Sequence, residues 1–266
     1  KGTARIGGIY RDQWGSVIAN QYRTPSFYID APVFRGIGKK DWIGVGAHFL
    51  NDQSGSYSYN QTSIGGALAY HLALDQMRKN VLTFGFQASQ NQRRVDQTKL
   101  RFANQYVVGS TGEVWNTLTE VLQDDVSFMD YAAGIDFRSK PSSTFSWNVG
   151  ASAFHLFEPA ESNNGTTTAV VPRRLVGHAS ATFAMGTNWQ LTPQVFYTQQ
   201  AGATEIIGQA IAGYKLGANK DILLNMGLGF RYGDAAMALV GLEYKNFVVG
   251  VAYDVNVSDL NTYSQN

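Results

Sequence analysis

The feature that most constrains this chain is a strict alternation of apolar residues with small or polar ones, repeated in segments of about ten residues. Near the C-terminus Phe247, Val249, Val251, Tyr253, Val255 and Val257 share one face of an extended strand. Val248, Gly250, Ala252, Asp254, Asn256 and Ser258 occupy the other. A second segment sets Ile222, Leu224, Met226, Leu228, Phe230 and Tyr232 against Leu223, Asn225, Gly227, Gly229 and Arg231. The same rhythm runs through 43–49, 64–72, 82–89 and 189–198. Each such strand offers one face to an apolar medium and one to water.

Soluble β-sandwiches alternate as well, but two details favour lipid. The apolar faces are nearly free of charge over roughly nine to eleven residues, the crossing length of a tilted strand in a bilayer. The opposite faces carry Gly, Ala, Ser, Asn and Gln rather than the Lys and Glu of a soluble surface. Composition agrees: charged residues make up 15% of the 266 residues, against about 25% in an average soluble domain. Glycine (28), Phe (15) and Tyr (14) are plentiful, while Pro (6) is scarce. Mean hydropathy is slightly negative, as it must be when half of every strand faces water. Tyr10, Trp42, Trp147, Trp189, Tyr232 and Tyr244 fall near strand ends, where an interfacial aromatic girdle is expected. No segment approaches the ~18 consecutive apolar residues of a membrane helix. The expected fold is all-β: a transmembrane antiparallel up-and-down β-barrel of an outer membrane, forming one domain over residues 1–266.

Strands are expected at 3–12, 23–32, 41–51, 57–73, 80–92, 127–138, 143–156, 174–185, 188–199, 204–217, 221–232, 235–244 and 247–258. The connections between them sort by parity. Even-numbered ones are short and often carry Lys, as in 35–40, 75–79 and 218–220, whereas both long loops, 93–126 and 158–173, are odd-numbered. Short turns at one end and long loops at the other match the periplasmic and extracellular ends of bacterial barrels. These barrels normally contain an even number of strands, so thirteen visible strands imply a fourteenth that closes the wall. An open edge in lipid would leave backbone groups unpaired at several kcal/mol each.

Several inward positions carry groups able to bind or react. Arg5, Arg11, Asp30, His48, His71, Asp136, Arg231, Glu243 and Asp254 fall on polar faces. They could form an ion-pair network that fixes the barrel, or an interior that holds a partner polypeptide. Gly-rich polar faces leave room for either. A hydrolase built on His48 or His71 would need a nucleophile, but no Gly-x-Ser-x-Gly elbow is present. The four His residues lack metal-ligand spacing, and the absence of Cys removes thiol chemistry. We therefore expect neither enzyme activity, nor a cofactor, nor a metal. Asp12, Asp52 and Asp259 read as solvated loop carboxylates, and a net charge of +1 gives no case for a nucleic-acid partner. In the first long loop Phe102, Tyr106, Val107, Val108 and Trp115 are too apolar to be left in water. Leu118, Val121 and Leu122 recur at helical spacing within 116–125, so a short helix packed on the mouth or on a partner is expected there.

Several stretches resemble a known family. Gly8–Trp14 (GIYRDQW) is similar to the opening motif of the PorP/SprF outer-membrane proteins of the Bacteroidota type IX secretion system. The likeness continues through SFYIDAP at 26–32, GVGAHFLND at 44–52, GALAYHL at 66–72 and LTFGFQ at 82–87. It returns in FRYGD at 230–234 and GVAYDVNVSDLNTY at 250–263. The combination is specific, and it is weakest in the two long loops. An Asn-Pro-Ala-like segment usual before the first strand, and a strand usual after the Ser-Asp-Leu loop, are not among these residues. The resemblance implies a non-enzymatic role in a Gram-negative outer membrane. The expected partners are a secreted surface adhesin or its C-terminal domain, including gliding adhesins with a type B C-terminal signal, and the periplasmic lipoprotein ring. The alternative is a transport barrel, either a porin or a hydrophobic-ligand channel.

Overall fold

The structure, a computed structural model, describes residues 4–13, 21–38, 40–54, 59–96, 105–109, 112–115, 125–161, 169–217 and 219–258. Its strands are β1 (Arg5–Gln13), β2 (Tyr22–Ile37), β3 (Asp41–Ser54), β4 (Tyr59–Ala73) and β5 (Asn80–Arg94). After these come β6 (Tyr106–Gly109), β7 (Gly112–Trp115), β8 (Asp125–Ser139), β9 (Phe145–Phe154) and β10 (Arg174–Met185). The series ends with β11 (Trp189–Gln200), β12 (Ala203–Leu216), β13 (Ile222–Arg231), β14 (Ala235–Tyr244) and β15 (Phe247–Asn256). Among the described residues thirteen of these form one sheet, in which every neighbour in space is a neighbour in sequence once β6 and β7 are set aside. All pairings are antiparallel, so this is an up-and-down wall of hairpins.

The alternation explains which way the wall faces. On β13 Leu228 is 74% exposed and Phe230 47%, while Gly227 is buried between Ile211 and Leu239. Apolar side chains this exposed, on strand after strand, form a continuous lipid-facing band rather than scattered surface residues. The Phe145–Phe183 and Trp189–Tyr214 ring pairs add cross-strand contacts.

The short-turn end is built from tight connections. Gly38, Gly186 and Gly217 take left-handed backbone there, and so do Arg78, Lys220 and Lys245. The β4–β5 turn is organised by Asp75, whose carboxylate accepts hydrogen bonds from the backbone N–H groups of Met77 (2.9 Å), Lys79 (3.0 Å) and Asn80 (2.6 Å). These bonds, that from Lys79 foremost, hold its carboxyl below the usual carboxylate range.

Three expectations change. The second strand does not stop at Pro32 but runs to Ile37, because register shifts between Pro32 and Phe34 and between Arg35 and Ile37 absorb the missing donor. The first long loop contains the β6–β7 hairpin, with Tyr106 opposite Trp115. Residues 116–124, where a helix was expected, lie outside the described residues, and Asp125 already begins β8. Trp42 is not a girdle residue: it stacks on His71 at 4.7 Å and faces the interior. At the two ends of the sheet, β1 pairs only with β2 and β15 only with β14 among the described residues.

Candidate functional site

Register identifies the interior face. Trp42, Gly44 and Gly46 of β3 lie opposite His71, Ala69 and Ala67 of β4. All six line one cavity of about 930 Å³, together with Thr83 of β5 and Asp136 and Arg138 of β8. Arg5 and Asp30 close its other side, and their carboxylate–guanidinium pair measures 2.9 Å. The cavity occupies the short-turn half of the interior, because its rim is Arg35, Trp42, Arg78 and Arg138. A smaller cavity of about 280 Å³ adjoins it, sharing Arg78 and Arg138 and adding Lys79 and Lys140.

Elsewhere on the inward face small residues leave room for polar side chains. A Cβ on Gly65 would come within 2.8 Å of the Ala88 carbonyl and of Ser89, and would strike the His48 ring. A Cβ on Gly150 would meet His178 Nε2 at 2.9 Å and Asp136 at 3.0 Å. The last two belong to a network: Asn148 Nδ2 donates to Asp136 Oδ2 at 2.5 Å, and His178 Nε2 lies 2.9 Å from Asn148 Oδ1.

The long-loop end is filled instead. The inward side chains of β8 there, Val126, Phe128, Asp130 and Ala132, are all buried. The β9–β10 connection folds over them: Val171 is buried against Val126 and Phe128. That connection is stitched by Glu161 N–H to Ala169 O (2.6 Å) and Val171 N–H to Pro159 O (3.0 Å). Arg93 of β5 stands over the Phe128 ring and pairs with Glu161 of the loop. Arg173 donates to the Leu156 carbonyl at 3.0 Å, and Gln200 to Pro172 at 2.9 Å. Asp130 and His155 sit 2.9 Å apart in this packed region, poorly aligned for a hydrogen bond.

The residues singled out from sequence fall as follows. Arg5 and Asp30 pair with each other; Arg231 bonds Asp234 (2.9 Å) and Asp254 (3.0 Å), with Glu205 at 3.9 Å. Glu243 accepts from Asn225 Nδ2 at 2.8 Å. His71 Nδ1 lies 2.9 Å from Thr83 Oγ1, and His48 stands over Gly65. Arg11, opposite Thr24 in the β1–β2 register, is exposed. Asp12 accepts from Gln21 Nε2 at 2.8 Å and Asp52 from Thr24 Oγ1 at 2.5 Å, and Asp259 lies outside the described residues. Among the described residues no group of three His, Asp or Glu is placed to hold a metal ion. In the long loop Tyr106 belongs to β6 and Trp115 to β7, while Phe102, Leu118 and Leu122 lie outside the described residues. Sequence reasoning missed His178, Asn148, Asp130 and His155, and missed the basic rim of Arg35, Arg78 and Arg138. The parity of β9 and β10 could have found His178 and Asn148, which register puts on the inward face beside Asp136.

An up-and-down wall, of thirteen strands among the described residues, with a lipid-facing apolar band and a polar interior defines a transmembrane β-barrel of the outer-membrane class. The particular family follows from the whole sequence. The family model described as "Type IX secretion system membrane protein PorP/SprF" matches residues 1–266, and the chain belongs to that family. It is therefore an integral outer-membrane protein of the type IX secretion system. No match was found among curated proteins. Among solved structures, the KdgM porin in complex with disordered oligogalacturonate is 10% identical with a TM-score of 0.43, over 95% of this chain and 99% of that one. BamA from Haemophilus ducreyi lacking POTRA domains 1–3 is 9% identical with a TM-score of 0.48, over 97% of this chain and 65% of that one. Likenesses this remote carry no functional argument.

Proposed function

We propose that this PorP/SprF barrel is a non-enzymatic anchor or guide for a secreted cell-surface protein, of the kind represented by a gliding adhesin with a type B C-terminal signal. The long-loop end faces the cell exterior in this reading and receives that protein or its C-terminal domain. The short-turn end faces the periplasm, within reach of the lipoprotein ring of the secretion system. The observation that carries the reading is the packed long-loop end. A loop anchored by Val171 on β8 and by Glu161 on Arg93 of β5 suits a platform for a protein better than the mouth of a solute channel.

Membership of a secretion family supports the coarse role, and the nature of the bound protein is the part to be tested. Affinity-purified barrel from native membranes should bring down a large secreted protein identifiable by mass spectrometry. In planar bilayers the same material should show little conductance. A large steady conductance with no copurified protein would favour the porin or hydrophobic-ligand reading instead. We also propose that one further strand sits between β1 and β15, because among the described residues each pairs on one side only, and an open edge would leave a ladder of backbone groups unpaired in lipid.

A further inference from the structure

The short-turn mouth concentrates positive charge. Three successive hairpins of the wall, β2–β3, β4–β5 and β8–β9, contribute Arg35, Lys40, Arg78, Lys79, Arg138 and Lys140. The carboxylates of the same turns are already engaged. Asp41 accepts from the Ala73 N–H (2.9 Å) and the Tyr70 hydroxyl (2.8 Å), and Asp75 from the backbone of its own turn. Deeper in the cavity Asp30 is paired with Arg5, and Asp136 is held by Asn148. Among the described residues no carboxylate forms an ion pair with Arg78 or Arg138, although both line the two adjoining cavities. Arg78 is nonetheless held in place: its guanidinium stands 5.5 Å over Trp42, which stacks on His71.

We propose that this mouth is a receptor for an acidic polypeptide segment, an extended stretch with alternating carboxylates that enters the cavity between Arg35, Arg78 and Arg138. Guanidinium groups suit carboxylates because their fork of N–H donors binds both oxygens at once. The arginines face the interior, so the headgroups of the surrounding leaflet lie on the wrong side of the wall to reach them. A cavity of about 930 Å³ that shares Arg78 and Arg138 with a second of about 280 Å³ has room for several residues rather than one small anion. The inference rests on the ring-contacting arm of the function proposed above, and it names the chemistry of that contact.

The test uses the full chain, refolded in zwitterionic lipid nanodiscs, with a fluorescein-labelled (Glu-Gly)₄ peptide read by anisotropy. The peptide should bind, more weakly as salt rises, while its Gln-Gly and Lys-Gly counterparts should not. The double variant Arg78→Gln with Arg138→Gln should weaken binding about tenfold or more, as expected for the loss of charge-assisted contacts. Lys220→Gln with Lys245→Gln, on the same rim but away from the cavity, should change it less than about twofold. Heat-modifiable gel mobility checks that each variant folds, and Arg78→Lys with Arg138→Lys should restore part of the affinity. Failure of the Glu-Gly peptide to bind would overturn the proposal, and so would equal loss in the two Gln variants. Displacement by millimolar inorganic phosphate would reassign the site to small anions. Peptide-insensitive binding of the nanodisc-held barrel to vesicles of phosphatidylglycerol would reassign it to lipid. Because purified barrel and a defined peptide need no secretion partner, this result is independent of what copurifies from native membranes.

Discussion

The two ends of the interior are made by the same strands and differ in almost every physical respect. At the long-loop end, inward residues of β8 are apolar or buried, and a loop lies over them with Val171 packed on Val126 and Phe128. At the short-turn end the interior is open, lined by Gly44, Gly46, Ala67 and Ala69, and rimmed by Arg35, Arg78 and Arg138. Loop length is the cause. Connections such as Lys245–Asn246 are too short to reach the lumen, so that end stays vacant and keeps its charges in water. The β9–β10 connection spans the positions between Phe154 and Arg174 and can fold inward. One end is thus a filled surface suited to contact, the other a basic vestibule suited to receiving something.

The contrast can be broken most severely at Phe128. Replacing it with Ala removes the ring under Arg93 and Val171, a loss of about 3–5 kcal/mol of packing for a buried aromatic. The loop should detach, and bilayer conductance should rise well above that of the parent barrel. An unchanged conductance would mean that the loop does not guard this end. Next in size is Gly150→Val, which forces a side chain into His178 and Asp136. Overpacking of this kind costs about 1–3 kcal/mol, and urea unfolding in detergent should record it without any effect at the long-loop end.

Arg231→Gln tests whether the long-loop end also depends on charge. Arg231 is largely buried among Asp234, Asp254 and Glu205. Its loss should cost about 1–3 kcal/mol, as for a charged hydrogen-bond partner removed from its acceptors. The Arg5–Asp30 pair on the vestibule side is more exposed, with the Arg5 side chain 74% accessible. A double-mutant cycle there should return only about 0.2–1 kcal/mol, and less in high salt. The smallest effect belongs to Asp75. Its carboxyl titrates lower in the folded turn than in the unfolded chain, so its contribution is complete above the unfolded value of about 3.9. That contribution fades as pH falls through the lower folded value. Asp75→Asn should therefore lower the melting temperature slightly at neutral pH and make no difference in strong acid.

Alternation, the parity of loop lengths and the family's motifs were all legible in the residues, and they suffice for the number and direction of the wall's strands and for its class, though not for the β6–β7 hairpin. The faces were legible too. Trp42 shares the parity of Gly44 and Gly46, which already placed it inward, yet its aromatic character suggested a girdle. The β2 boundary at Pro32 failed for a different reason, since a bulge that tolerates proline depends on the partner strand. Whether Arg5 meets Asp30, or Arg231 meets Asp254, required register, because a one-residue slip would move either side chain to the lipid face.

By itself, then, the sequence determined an outer-membrane wall of alternating strands with short turns at one end and long loops at the other, since a period of two is local and each strand records it alone. Only the tertiary structure decided that the β9–β10 loop packs against β8, that Asp136 meets His178 of β10, and that Arg78 and Arg138 share a cavity. Those contacts join residues far apart along the chain, and they depend on the register between neighbouring strands, which no single strand encodes.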